Sequence, residues 1–139
     1  MIPVNYWAVL AAALFTFVLG FLWYGPLFGR SWLRLTGLNP ESMKPGPFHF
    51  VVWIGSALLM PFGLANVLAT ANAYTHMSGA VSGLATGFWI WLSFVVPVSA
   101  GIVFSEHKPA PLWLITAGYY LVALCGIGVI LALWPATDA

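Results

Sequence analysis

The sequence predicts an all-α membrane protein, a bundle of four transmembrane helices with a short interfacial segment between helices 1 and 2. Three observations predict this fold class. The chain of 139 residues is 62% hydrophobic and only 5% charged, whereas a soluble domain carries about 25% charged residues. Its apolar residues form four runs, each long enough to cross a hydrocarbon layer of about 30 Å. Trp and Tyr lie near the ends of these runs, where aromatic side chains anchor helices at headgroup level.

The first predicted span covers residues 4–24 and leads into the most informative stretch of the chain. This interfacial motif combines two aromatic residues, a helix-breaking pair and two arginines: Trp23, Tyr24, Gly25, Pro26, Arg30 and Arg34. The rings indicate headgroup level and the cations indicate water. The proline predicts the end of the helix, because it has no backbone N–H and its ring clashes with the preceding turn.

The polar segment at residues 25–47 separates the first two spans. Trp32, Leu33 and Leu35 are interspersed with the arginines, which predicts a short amphipathic segment lying on the membrane surface. Further along, Asn39-Pro40-Glu41 has the chemistry of a helix start: a capping side chain, a proline and an acid near the positive end of the helix dipole.

The second predicted span covers residues 48–70 and contains two unusual residues. Pro61 leaves the carbonyl of Ala57 without its helical donor, so we expect a kink there. Asn66 carries an amide that needs a partner, because an unsatisfied amide in hydrocarbon costs several kcal/mol. A hydrogen bond to another helix is favoured for Asn66 over contact with a ligand.

The third and fourth predicted spans cover residues 77–104 and 112–134. The third run is longer than a crossing requires, so we expect it to be kinked at Pro97, tilted, or both. The fourth contains Gly118, Gly126 and Gly128, which are points where another helix can approach closely.

Two stripes of small residues at four-residue spacing predict close helix packing. The stripe in the first span consists of Ala8, Ala12, Thr16 and Gly20. The stripe in the third span consists of Gly79, Gly83 and Gly87, and it leaves one helix face bare. This face can serve packing within the bundle or contact with another protomer, and the sequence leaves both open.

The basic residues predict the orientation of the chain. Arg30, Arg34, Lys44 and Lys108 are all of its Lys and Arg residues, and all lie in the first and third loops. With four spans these loops share one side, which the positive-inside rule places in the cytoplasm, leaving both termini outside. The expected partner is the lipid bilayer. No basic cluster is long enough to predict nucleic acid as a partner.

Residues that could perform chemistry are few. The predicted spans hold no Asp, Glu, Lys or Arg in their interiors, where ion pumps carry such groups. The sequence has no Gly-rich phosphate loop, nucleophile elbow or haem-attachment signature. His49, Glu106 and His107 could meet as metal ligands, but their spacing favours ordinary interfacial histidines. We therefore expect no metal, no cofactor and, by preference, no enzymatic activity.

The stretch Trp23-Tyr24-Gly25-Pro26-Leu27-Phe28-Gly29-Arg30-Ser31-Trp32 resembles a family of small bacterial four-helix membrane proteins, the domain-of-unknown-function family 1761. The segments Gly87–Pro97, Gly118–Leu121 and Ile130–Trp134 are similar to that family too. The resemblance covers nearly the whole chain. It implies a single four-helix domain over residues 1–139 and a bacterial inner membrane. It implies no activity, because none is assigned to the family.

Two functional hypotheses compete. The preferred one is a helix-packing or assembly protein, either a homo-oligomer or a small accessory subunit of a larger membrane complex, docked through the face of Gly79, Gly83 and Gly87. The alternative is a small transporter or channel for an uncharged solute, with helices broken at Pro61 and Pro97 beside a polar cavity. That cavity would contain Asn66, Thr70, Ser93 and Ser99. A membrane enzyme acting on lipid has the least support.

Overall fold

The computed structural model describes residues 4–37 and 46–134. Within these ranges the chain is all-α and contains no strand. The helices are α1 (Tyr6–Leu22), α2 (Gly29–Thr36), α3 (Pro47–Thr75), α4 (Gly79–Ile90), α5 (Val96–Ser105) and α6 (Ala110–Leu133). Two π-helical turns, Trp23–Leu27 and Trp91–Val95, follow α1 and join α4 to α5.

Four helical stretches are long and apolar enough to cross a membrane, which confirms the predicted four-span fold. They are Tyr6–Leu27, Pro47–Thr75, Gly79–Ser105 and Ala110–Leu133. The second helical stretch continues to Thr75, past its predicted end at residue 70, so the link to the third span is shorter than predicted. The interfacial segment contains α2, and the predicted helix start at residues 39–41 lies outside the described residues.

A capping side chain marks the start of α1. The Asn5 Oδ1 accepts the backbone N–H groups of Trp7 at 3.0 Å and Ala8 at 3.3 Å, so it satisfies donors that the first turn leaves unpaired. The Asn5 Nδ2 donates to the carbonyl of Trp134 at 3.2 Å, which joins the start of α1 to the end of α6. The helix α3 ends at His76, whose φ of 58° is left-handed and turns the chain toward α4.

Proline 26 does not end the first helix, so that prediction was wrong. The helix widens into a π-turn, in which the Phe28 N–H donates to the carbonyl of Trp23 at 2.9 Å. A wider turn accommodates a residue that has no N–H to donate and a ring that crowds the preceding carbonyl. The chain leaves the helix at Phe28 and continues directly into α2.

The other two mid-span prolines sit in different surroundings. The π-turn Trp91–Val95 lies directly before Pro97, so the expected disturbance of the third span takes the form of a widened turn. Pro61 is fully buried, and α3 remains α-helical on both sides of it. The expected kink at Pro61 stays a prediction.

The helix α6 lies at the centre of the bundle and contacts all three other spans. One core joins it to α1 and α3, and its members are Ala8, Val9, Ala12, Leu64, Ala65, Leu68, Leu124, Ile127 and Leu131. All come from the start of α1, the second half of α3 and the second half of α6, so one end of the bundle is the more tightly packed. Lipid is as apolar as these side chains, so dispersion contacts hold this core together.

Candidate helix-association and interfacial sites

The tightest contact in the described chain is a glycine seam between α4 and α6. A side chain on Gly83 would overlap the carbonyl of Gly128, and a side chain on Gly128 would overlap the carbonyl of Gly83. One turn along, a Cβ on Gly87 would lie 2.6 Å from the carbonyl oxygen of Leu124. Because these distances leave no room for a methyl group, the two helix backbones are in direct contact.

Hydrogen bonds from side chains extend the seam. The Trp91 Nε1 donates to the carbonyl of Ala117 at 2.7 Å, and the Trp113 Nε1 donates to the Ser99 Oγ at 3.0 Å. Lipid offers an indole N–H no acceptor, so both tryptophans find one on the neighbouring helix. At the other end, the Ser82 hydroxyl donates to the Asn72 side-chain oxygen and ties α4 to α3.

Gly79 has a different role from the other two glycines of its stripe. It lies at the start of α4 with a φ of +79°, and no heavy atom lies within 4 Å of where its Cβ would be. A left-handed φ is costly for residues that carry a Cβ. Gly79 therefore suits the turn into α4, and the structure does not bring it to the seam.

The small-residue stripe of the first span also faces the interior of the bundle. Ala8 and Ala12 are fully buried in the core. A Cβ on Gly20 would lie 3.3 Å from the Tyr119 hydroxyl, which itself donates to the carbonyl of Thr16 at 3.3 Å. This stripe therefore packs against α6 of the same chain, as Gly83 and Gly87 do.

Three of the four polar cavity candidates donate to carbonyl groups of their own span. The Asn66 Nδ2 donates to the carbonyl of Phe62 at 2.8 Å, and the Thr70 hydroxyl donates to the carbonyl of Asn66 at 2.9 Å. Both groups are thus satisfied within α3. The Ser99 hydroxyl donates to the carbonyl of Val95 at 2.5 Å, and Ser93 is exposed in the second π-turn.

The first half of α3 is exposed along almost its whole length. From residue 47 to residue 59 every side chain except that of Ala57 is exposed, including Trp53 and Phe48, which is 74% exposed. We call residues 47–59 the free half of α3. Beyond it, Pro61, Leu64, Ala65 and Leu68 are all buried against the bundle. One continuous helix therefore packs along only part of its length.

An apolar groove of about 460 Å³ lies between α1 and the free half of α3. Its lining consists of Tyr6, Val9, Leu10, Gly55, Leu58, Leu59 and Phe62. Gly55 has no heavy atom within 4 Å of its Cβ position, so the groove is open above it. A second apolar groove, of about 620 Å³, lies between α1, α4 and α6 beside Phe15 and Cys125. Neither groove is lined by any of the four polar candidates.

The C-terminal end of the first span and the N-terminal half of the fourth span form an aromatic and basic cluster. The Trp23 Nε1 donates to the carbonyl of Ile115 at 3.0 Å, and Tyr24 packs against the rings of Trp32 and Tyr119. The exposed side chains of Arg30 and Arg34 project from α2 in the same region. The interfacial motif is thus anchored to α6 by its rings, an arrangement that the sequence alone does not reveal.

The candidate metal ligands His49 and His107 have other structural roles. The His49 Nδ1 accepts the backbone N–H of Gly46 at 3.1 Å at the start of α3. His107 has a left-handed φ of 56° in the turn between α5 and α6. Among the described residues, no three His, Cys, Asp or Glu side chains lie close enough together to hold a metal ion.

Four apolar crossings with hydrogen bonds satisfied inside the helices define a multi-pass α-helical membrane protein. Residues 7–132 match the family model described as protein of unknown function (DUF1761), and the chain belongs to that family. No curated protein and no solved structure matches the chain. The resemblance of the interfacial motif is thereby confirmed, and the family brings no assigned activity with it.

The sequence did not indicate Gly55 or the groove above it as a candidate site. The only local signal is the run Gly55-Ser56-Ala57 within an apolar helix. Such a run cannot distinguish a face that packs within the bundle from one that stays open.

Proposed function

We propose that this protein is a membrane assembly element that associates with a second copy of itself through the groove between α1 and the free half of α3. The observation that carries the proposal is that α3 has no buried side chain over residues 47–59, whereas its second half buries Pro61, Leu64, Ala65 and Leu68. The glycine faces singled out from the sequence already contact helices of the same chain. The proposed contact surface has therefore moved from the third span to the second.

A second copy suits this surface because it offers both an exposed helix and a recess. The free half of α3 has exposed side chains, and the adjoining groove is recessed beside Gly55. A two-fold axis along the membrane normal gives both copies the same orientation and brings equal depths of α3 together. The free half of each copy can then lie against the groove of the other, where Gly55 allows close approach of the backbones.

A pair of matched glycine substitutions tests this association. Gly55 lines the groove and Gly63 does not, although both are in α3 and neither has a heavy atom within 4 Å of its Cβ position. We expect the purified wild-type chain to have a two-copy mass by light scattering in detergent. Gly55→Leu fills the recess and should give a one-copy mass, whereas Gly63→Leu should remain a dimer.

Cross-linking within native membranes provides a second measurement. In a Cys125→Ala background, Leu59→Cys places a thiol in the proposed contact, because Leu59 lines the groove and is exposed. Oxidation should join two copies through this position and not through Val67→Cys on the second half of α3. A monomeric wild type that copurifies with a different membrane protein would contradict self-association and favour an accessory subunit.

We also propose that the protein lies in a bacterial inner membrane with both termini outside. The support is the position of Arg30, Arg34 and Lys108 at the end of the bundle opposite to Asn5 and Trp134. A reporter that is active only outside the cytoplasm should be active when fused to the C-terminus and inactive when inserted beside His107. The reverse pattern would overturn this orientation.

Passage of a small uncharged solute is the weaker alternative. It requires Asn66, Thr70, Ser93 and Ser99 to share a hydrated path, whereas Asn66, Thr70 and Ser99 already donate to carbonyl groups of their own span. Swelling of vesicles that contain the protein, reduced by Asn66→Leu, would revive this hypothesis.

A further inference from the structure

We infer that α2 and the loop between α5 and α6 together form a binding surface for the headgroups of anionic phospholipids. The structure brings Arg30 and Arg34 of α2 to the same end of the bundle as Lys108, which lies far away in the sequence. This inference concerns a different surface from the groove, and it does not depend on self-association.

The two arginines form one exposed basic face. They are four residues apart in a helix, so they project in nearly the same direction. Both are exposed, and neither is paired with a carboxylate among residues 4–37 and 46–134. Trp32 lies between them in sequence and is half-buried on the other side of the helix.

The joint between the first span and α2 is closely packed. A Cβ on Gly29 would lie only 2.6 Å from the carbonyl oxygen of Tyr24, five residues earlier in the π-turn. The Trp32 N–H donates to the carbonyl of Phe28 at 2.8 Å, and its ring packs edge-on against Tyr24. These contacts hold the helix that carries the arginines against the end of the first span.

Lys108 secures the other end of α2. Its Nζ donates to the carbonyl of Thr36 at 3.2 Å, where the last carbonyls of the helix lack partners within it. This bond connects the first loop to the third and places a third cation at the C-terminal end of the helix that carries the arginines. The ammonium group retains two further donors for a ligand.

The chemistry of this surface matches a phosphodiester at the membrane boundary. Guanidinium groups bind phosphate oxygens through paired N–H donors, and Arg30 and Arg34 are unpaired with described carboxylates. Trp23, Tyr24 and Trp32 set the depth of α2, because aromatic side chains prefer the headgroup layer. A headgroup that carries net negative charge, such as phosphatidylglycerol, is therefore favoured over a zwitterionic one.

The test compares lipid binding by the full chain and by two double variants. Wild-type protein in detergent is titrated with phosphatidylglycerol or phosphatidylcholine, and bound lipid is counted by native mass spectrometry. Arg30→Gln with Arg34→Gln should weaken phosphatidylglycerol binding by about 30-fold, at roughly a factor of five for each charge near the surface. Arg30→Lys with Arg34→Lys should retain most of the binding, since the charges remain.

Three results would overturn the inference. One is equal binding of the two lipids by the wild type, and another is unchanged phosphatidylglycerol binding by the glutamine variant. The third is equal occupancy by inorganic phosphate, which would identify an anion site that is independent of lipid.

If the glutamine variant does not fold, the salt dependence of binding provides a second measurement. The preference of the wild type for phosphatidylglycerol should disappear at about 1 M ionic strength. Persistence of the preference there would contradict a charge-based surface.

Discussion

The glycine seam and the groove beside Gly55 are both built from small residues in apolar helices, and only the seam is filled. Gly83 faces the backbone of α6 so closely that no methyl group fits, whereas Gly55 has no atom within 4 Å of its Cβ position. The comparison shows that small residues permit close approach of another helix but do not determine which helix packs against them. The seam is filled because α6 presents Gly128 at the matching position.

The two halves of α3 repeat this contrast within one helix. Its second half is buried against α1 and α6 through Leu64, Ala65 and Leu68. Its first half has equally apolar side chains, but none of them is buried. Burial in lipid does not distinguish the halves, so packing contacts alone make the second half part of the folded unit.

The largest expected effect comes from filling the seam. Gly83→Leu forces α4 away from α6, because the side chain would occupy the place of the Gly128 carbonyl. We expect a loss of at least about 3 kcal/mol in the free energy of unfolding. Thermal unfolding in detergent, followed by circular dichroism or a thiol-reactive dye at Cys125, measures the loss.

Gly101→Leu is the matched control for Gly83→Leu. Gly101 also lies in the third span, in α5, but no heavy atom is within 4 Å of its Cβ position. Its substitution should leave the unfolding midpoint within a degree or two of wild type. Equal destabilisation by the two substitutions would show that the seam has no special role.

An intermediate effect is expected at the hydrogen bond that continues the seam. Trp91→Phe keeps an aromatic ring but removes the donor to the carbonyl of Ala117. The loss should be about 1 kcal/mol, because hydrogen bonds between helices in membranes contribute modestly. Trp89→Phe is the control, since Trp89 is 61% exposed and faces away from the bundle. A larger loss at Trp89 would contradict the assignment.

The smallest effect is expected at the polar residues of α3. Thr70→Val removes a hydroxyl whose hydrogen bond to the carbonyl of Asn66 is made within the same helix. The change in the free energy of unfolding should be within about 0.5 kcal/mol of zero, since no contact between helices is lost. A loss above 1 kcal/mol would indicate an unrecognised contact at this face and would sharpen the case for a polar path near Asn66.

Proline 26 illustrates where sequence reasoning stops. Its missing N–H is a local property, and it correctly signals a disturbance of the helix. In the structure the helix widens, and the Trp23 side chain in the π-turn donates to the carbonyl of Ile115. That contact joins residues that are far apart in the sequence, so local rules did not predict it.

The candidate site shows the same limit. Gly83 and Gly87 could be identified from their spacing, but their partners Gly128 and Leu124 could not. Asn66 could be identified as a polar group in hydrocarbon, but its acceptor is the carbonyl of Phe62 in its own helix. The groove beside Gly55 could not be found at all, because an open face leaves no pattern in the sequence of that face.

The sequence by itself determined the number of crossings, their approximate positions and the family. The number and positions of the crossings follow from the free energy of transferring each side chain between water and hydrocarbon, which belongs to the residue wherever its neighbours lie. The family follows from the order of residues in the match over residues 7–132. The tertiary structure alone decided which small residues meet, how the prolines are accommodated, and that Lys108 reaches α2. These depend on the distances between atoms of different helices, which no single stretch of the chain contains.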